Sequence, residues 1–188
     1  SDFWGSLHRA YRTDSTDRTA TPAAQLKKAL DSKSEEEKKY IQDTINQPDS
    51  KGQLALNKGV YSRDVLDILI QNGADVNARN AKGETAIMEA AGMGFPSSVK
   101  FLVEKGANLT AHDNDGQNLL HKLAARKDVP AKKVSGILDI LTDDSILGEK
   151  PALMELLNQK NKEGKTPFDI AKESGNHELV TQVNNRLM

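Results

Sequence analysis

Cysteine is absent from the 188 residues of this chain, which excludes disulfides, thiol nucleophiles and thiolate metal sites. That suits a reducing compartment, and the expected location is intracellular. An excess of one charge is lacking too. Lys and Arg number 26 against 27 Asp and Glu, for a formal net charge of -1. No overall field therefore points to nucleic acid or an acidic membrane. No apolar run approaches the roughly 20 residues needed to span a bilayer. Aromatic residues make up 4%, few for a single packed core and common in arrays of small helical units. No methionine or signal peptide opens the chain at Ser1, which reads as a piece of something longer. With 37% hydrophobic and 28% charged residues, the composition is that of a globular protein.

Repetition is what the chain does have. VNARNAKG at 76–83 resembles INQPDSKG at 45–52 and LNQKNKEG at 157–164. Gly73 and Gly106 are 33 residues apart, as are Gly83 and Gly116. Gly52 precedes Gly83 by 31, and Gly164 follows Gly116 by 48, one period plus 15. Such a period implies units that bury their apolar faces only by stacking. Glycine after a helix, at Gly73 and Gly106, permits the left-handed turn that ends it. The glycine of K-G and D-G permits a tight reversal at a loop tip. Thr85 and Thr166 stand where helices begin and are expected to cap them. Ala90 and Ala91 are small where first helices meet, while Val65, Leu66, Leu69 and Ile70, then Val99, Leu102 and Val103, give each second helix its apolar face.

These residues resemble the ankyrin-repeat pattern of a glycine turn, T-P-L-H-x-A-A, a glycine, V-x-x-L-L and G-A-D-V-N. Thr85, Ala90, Ala91, Gly94, Val99, Leu102, Gly106 and Ala107 fall on it, and the last unit adds Thr166, Pro167, Ala171 and Gly175. The resemblance implies an all-α solenoid of stacked helix-turn-helix units over 45–188, with units at about 49–79, 80–112, 113–160 and 161–188. It also places His121 where the family's histidine bonds between adjacent loops.

The departures are specific to this chain. The first unit is two residues short and has L-A-L-N in place of T-P-L-H. The third has Asn118 in the threonine position and an insertion at 139–157, expected as an extended second helix followed by an inserted helix over about 152–158. The insertion either carries function or covers core. Asp143 and Asp144 read as a helix end or turn. Residues 1–44 are expected to form a helical cap, with Phe3, Trp4, Leu7 and Tyr11 at helical spacing, a Ser/Thr-rich loop at 12–22, and Leu26, Leu30, Tyr40, Ile41 and Ile45 as apolar members of one or two helices. Trp4 reads as core of that cap. The last helix has Gln182, Asn184, Asn185 and Arg186 as its expected solvent face.

No catalytic constellation appears, and no enzyme activity, cofactor, metal or small-molecule substrate is expected. His8, His112, His121 and His177 show no paired spacing. D-N-D-G at 113–116 fails as a calcium loop, because Ala111 and Lys122 would occupy its first and last ligand positions. Lys122, Arg126, Lys127, Lys132 and Lys133 form a local basic cluster that reads first as a solvated face. N-L-T at 108–110 is a formal glycosylation sequon at a joint between units.

What the resemblance implies is protein binding through a concave face of loop tips and first helices. Carried onto this chain, the tips are Lys51, Arg79, Lys82, Asn114, Asp115, Lys162 and Glu163, and the helix positions are Glu89, Met93, Lys122 and Arg126. Met93 suits an adaptable contact surface, or else packs between helices. Two functions follow. One is an adaptor, in the style of a bacterial effector delivered to a host protein. The other is a non-catalytic targeting domain of a larger enzyme. Neither nucleic acid nor membrane is an expected partner.

Overall fold

The computed structural model describes residues 21–148 and 153–188. The expected Phe3–Tyr11 helix, Trp4 within it, and most of the 12–22 loop lie outside the described residues. All regular structure among the described residues is helical. A leading pair, α1 (Pro22–Asp31) and α2 (Glu35–Thr44), precedes the repeats. The first unit contains α3 (Ala55–Lys58), a 3₁₀ turn (Gly59–Tyr61) and α4 (Arg63–Gln71); the second contains α5 (Ala86–Met93) and α6 (Pro96–Glu104). The third has α7 (Leu119–Ala124), α8 (Ala131–Ile140), α9 (Asp144–Leu147) and α10 (Leu153–Asn158), and the fourth α11 (Pro167–Ser174) and α12 (His177–Leu187). First helices pack in one row, α3 on α5, α5 on α7, α7 on α11. Second helices pack in another, α4 on α6, α6 on α8, α8 on α12. This is the expected all-α solenoid.

The rows follow from side-chain size. Ala86, Ala90 and Ala91 are fully buried where first helices meet, and Val65, Leu66, Leu69, Val99, Leu102 and Val103 are fully buried along the second row. Each large side chain so buried contributes about 1.5–3 kcal/mol. The two residues missing from the first unit are missing from its first helix. Only four residues of α3 form before the 3₁₀ turn, and Ser62 then caps α4.

The leading pair does cover the first unit, through α1 against α4. Ala23, Leu26 and Leu30 on α1, with Ile41 and Ile45 from α2 and its C-cap, supply the buried stripe. Tyr40 departs from expectation and is 54% exposed. It stands one residue, or about 100° of helix, off the Ile41–Ile45 stripe, and its hydroxyl favours water.

The repeated phrase is a pair of polar joints. In each unit an Asp or Asn side chain closes the tip. Oδ1 of Asp49 accepts from Lys51 N and Gln53 N, and that of Asn80 from Lys82 N and Glu84 N. Asp113 and Asn161 repeat the bonds at 2.9–3.0 Å. These are Asx turns, which satisfy backbone donors that no ladder can reach. The tips then bond in series: Ala81 N to Gly52 O (3.0 Å), Asn114 N to Lys82 O (3.0 Å) and Lys162 N to Asp115 O (2.9 Å). A second asparagine clasps the next unit. Asn46 donates to Gly73 O (3.0 Å) and accepts from Asp75 N (2.7 Å); Asn77 does the same with Gly106 O (3.3 Å) and Asn108 N (2.8 Å).

Two tip glycines with the same φ should respond differently to alanine. Gly83 (φ 78°) lies where a Cβ would stand 2.5 Å from Asn114 Oδ1 and 2.9 Å from Asn114 N, the donor of the tip-to-tip bond. Gly164 (φ 75°) has open space. Gly164→Ala should cost about 1 kcal/mol for the left-handed backbone alone. Gly83→Ala should cost about 2 kcal/mol, adding the lost tip contact. Urea unfolding of both variants checks the order.

Several expectations are corrected. Helix α8 is not extended and ends at Ile140. There Thr142 Oγ1 donates back to Leu138 O (3.0 Å), and Asp143 starts a new helix by accepting from Ser145 N (2.9 Å). The inserted helix is present as α10, with Leu153, Leu156 and Leu157 buried and Met154 exposed, so its apolar side covers core. Residues 149–152 lie outside the described residues. Thr166 caps α11 in a reciprocal pair with Asp169, but Thr85 makes no cap bond and its Oγ1 is buried without a partner. On α12, Asn184 and Asn185 are exposed as expected. Gln182 and Arg186 instead lean onto α8, donating to Ala131 O (2.8 Å) and Asp139 Oδ1 (2.7 Å).

Candidate functional site

The tip residues and first helices are linked by charge. Each tip Asp has a lysine nine residues on: Lys58 lies 2.6 Å from Asp49 Oδ2, and Lys122 lies 2.7 Å from Asp113 Oδ2. Since Oδ1 is occupied by turn amides, Oδ2 is the oxygen left for the helix. Where the tip is Asn, the residue nine on is not a lysine but Glu89 or Ile170. Asn80 turns its Nδ2 to Glu84 Oε1 instead (3.1 Å). Lys122 also reaches Glu84 in the preceding tip at 2.8 Å, and so ties two units together.

These contacts set the protonation of the cluster. Burial alone would raise Glu84 and Asp113, but hydrogen bonds from Lys122, with Asn80 or the turn amides, outweigh it and hold both carboxyls below their ordinary values. Burial would lower Lys122, and its bonds to Asp113 and Glu84 reverse the sign. Glu89 goes the other way. Burial raises its carboxyl, the charge of Glu84 raises it further, and Lys122 and Lys82 pull it back without prevailing.

Beside this cluster lies a groove of about 530 Å³ between the first two tips and first helices. Lys51 and Lys82 stand on it from the tips, Glu89 and Met93 from α5. Four candidate contact residues are thus brought together. Met93 is 47% exposed, with its sulfur 3.7 Å from Arg126 Nη1, so Arg126 continues the surface onto the third unit. Arg79, Asn114, Asp115, Lys162 and Glu163 lie along the tips outside the groove lining. Asn114 is tied into the tip series by its side chain, which donates to Ala81 O (3.1 Å). Lys122 is held by its two carboxylates.

Groove residues the sequence reading passed over are Asn57, Lys58, Tyr61, Glu84 and Phe95. Tyr61 and Phe95 lie in the two turns that join first to second helices, where the repeat pattern gives no aromatic signal. The Tyr61 phenol is pushed up to about 12 by burial and stays neutral.

His121 is a structural group, as its position implied. It is fully buried, Nδ1 accepts from Asn118 N (3.0 Å), and Nε2–H donates to Lys165 O in the next unit (2.9 Å). Asp113 of the D-N-D-G stretch faces the Lys122 ammonium. No group of three or more metal-ligating side chains occurs among the described residues, and no helix there is long and apolar enough to cross a membrane.

Comparison with known proteins agrees with this architecture. Residues 53–141 match the family model of ankyrin repeats in three copies. The chain is 32% identical to the transient receptor potential cation channel subfamily V member 1 of Canis lupus familiaris, over 66% of this chain and 17% of the channel. It is 29% identical to the intracellular phospholipase A2 of Caenorhabditis elegans, over 73% of this chain and 12% of that protein. It is 29% identical to an ankyrin repeat protein of fowlpox virus, over 75% of this chain and 38% of the viral protein. The chain spans less than a fifth of the channel and of the phospholipase.

Proposed function

The chain belongs to the ankyrin-repeat family, whose repeats mediate protein–protein interaction, and we propose that it is a recognition module that binds a partner protein through the groove-side face. The observation that carries this reading is the coincidence of Lys51, Lys82, Glu89 and Met93 on one groove, with the half-exposed Met93 leading on to Arg126. The relatives, a channel and a phospholipase among them, differ in activity and share the repeats. That supports recognition rather than chemistry as the role of this part. The scaffold is tied between units by tip bonds and asparagine clasps, so a partner can bind without ordering it, which lowers the entropic cost of association.

Within this reading the chain acts as an adaptor inside a cell, with delivery of a bacterial effector to a host protein as its narrower form. The alternative is a targeting domain of a larger enzyme, favoured by the likeness to a phospholipase of which the chain spans 12%. The test is affinity capture from eukaryotic lysate with wild type and a Met93→Glu, Arg126→Glu double variant, both confirmed folded by circular dichroism. A partner held by wild type should be lost, by tenfold or more, from the variant. Equal capture by both proteins would move the interface to the 139–157 insertion or to the N-terminal cap and overturn the reading.

A further inference from the structure

Charge is not evenly placed in the groove. Its rim carries Lys51 and Lys82 on exposed tips. Below the rim the lining carries two carboxyls, Glu84 and Glu89; Lys58 is balanced by Asp49 behind it, and Lys122, outside the lining, divides its charge between Glu84 and Asp113. A separate observation points the same way. Asn57, which lines the groove, is 6% exposed and donates through Nδ2 to Glu84 O (3.0 Å). That bond fixes which end of the amide is which, and the remaining Oδ1 is buried with no hydrogen-bond partner. An acceptor left unpaired costs about 1–3 kcal/mol. Tyr61, Met93 and Phe95 give the groove an apolar wall suited to a methylene stem.

Deepening the recognition reading, on which it rests, we infer that the groove takes a lysine or arginine side chain from the bound protein segment, with its stem along Tyr61 and Met93 and its cation delivered to Glu89 and Glu84. The rim lysines do not reverse this preference. They stand at exposed tips, where water and salt screen them, whereas the floor carboxylates are partly buried and act through a lower effective dielectric. Burial, then the charge of Glu84, raises the Glu89 carboxyl, and a bound ammonium or guanidinium favours its ionised form, so affinity rises with pH as Glu89 ionises. Glu84, Lys122 and Lys82 are the charged groups that act on it.

The test is selection from a phage-displayed library of random peptides about twelve residues long. Wild type, Glu89→Gln and the Met93→Glu, Arg126→Glu variant serve as baits, each checked by circular dichroism. Wild type should enrich one basic position flanked by apolar residues. Synthesised, the best peptide should bind Glu89→Gln about tenfold more weakly. Replacing its basic residue by glutamine should weaken wild type by a similar factor and add little in Glu89→Gln, since the two changes remove one interaction. Enrichment of Asp or Glu, no enriched basic position, or equal binding of the peptide to wild type and Glu89→Gln would overturn the inference. In the last case, loss of binding to the double variant leaves the groove-face reading standing. Unchanged binding to all three baits would sink both.

Discussion

Replacing Asn118 by alanine should lower the free energy of unfolding by about 3 kcal/mol, measured by urea titration at neutral pH. Asn118 is fully buried and works at both ends. Its Oδ1 caps α7, accepting from Leu120 N (2.9 Å) and His121 N (3.1 Å). Its Nδ2 donates to Leu156 O (3.0 Å) and Gln159 Oε1 (2.7 Å) at the end of the inserted helix. Loss of a cap costs about 1 kcal/mol, and stranding buried acceptors adds about 1–3 kcal/mol. Asn118→Thr separates the two roles. Threonine can still cap but has no amide to offer, so the variant should recover about 1 kcal/mol and no more. Hydrogen exchange at residues 153–159 should quicken in both variants. If Asn118→Thr matched wild type, the link to the inserted helix would be energetically empty.

The same residue shows what was readable in the sequence. The period, the two rows of helices and the inserted helix were legible, because glycine spacing and apolar spacing report backbone and packing directly. Asn118 was legible as a departure but not as a cause. Only the structure shows that the insertion places Leu156 O and Gln159 where a threonine could not reach. The tip pairs were there to be read: Asp49 and Asp113 each have a lysine nine residues later, and Asn80 and Asn161 do not. That pairing is hard to see in sequence because a lysine on a first helix looks like any solvated charge. Thr85, by contrast, has the residue type of a cap and makes no cap bond, since residue type gives a cap its capacity but neighbouring backbone decides its use. Of the groove, the sequence shows only the positions that repeat. It withheld Tyr61, Phe95 and Asn57, which lie where the first unit is shortened or where chains turn between helices.

His121 should make stability depend on pH near neutrality. Burial is the main reason its imidazole is held below the ordinary histidine value, against the opposing bond to Lys165 O and the charge of Asp113. The geometry agrees: Nδ1 must accept from Asn118 N–H (3.0 Å) while Nε2–H donates to Lys165 O (2.9 Å), so a second ring proton would meet a donor. With the folded pKa depressed, the unfolded chain binds the extra proton first. The contribution is complete above the unfolded value of about 6.5 and is lost as pH falls below it, with a slope approaching 1.4 kcal/mol per pH unit. Glu84 and Asp113, also depressed, contribute in the same sense only below the ordinary carboxylate range of about 4. Glu89, raised by burial and by Glu84, acts in the opposite sense, so the comparison must be made between variants. His121→Ala should cost about 3 kcal/mol at pH 7, since it strands Asn118 N–H and Lys165 O and opens a cavity. His121→Gln can keep the acceptor for Asn118 N–H, as glutamine does at this position of a capping box, and should cost less. Neither variant should retain the wild-type slope between pH 7 and pH 5. Unfolding titrations at those two pH values decide it, and a slope that survives in His121→Gln would assign the proton to another group.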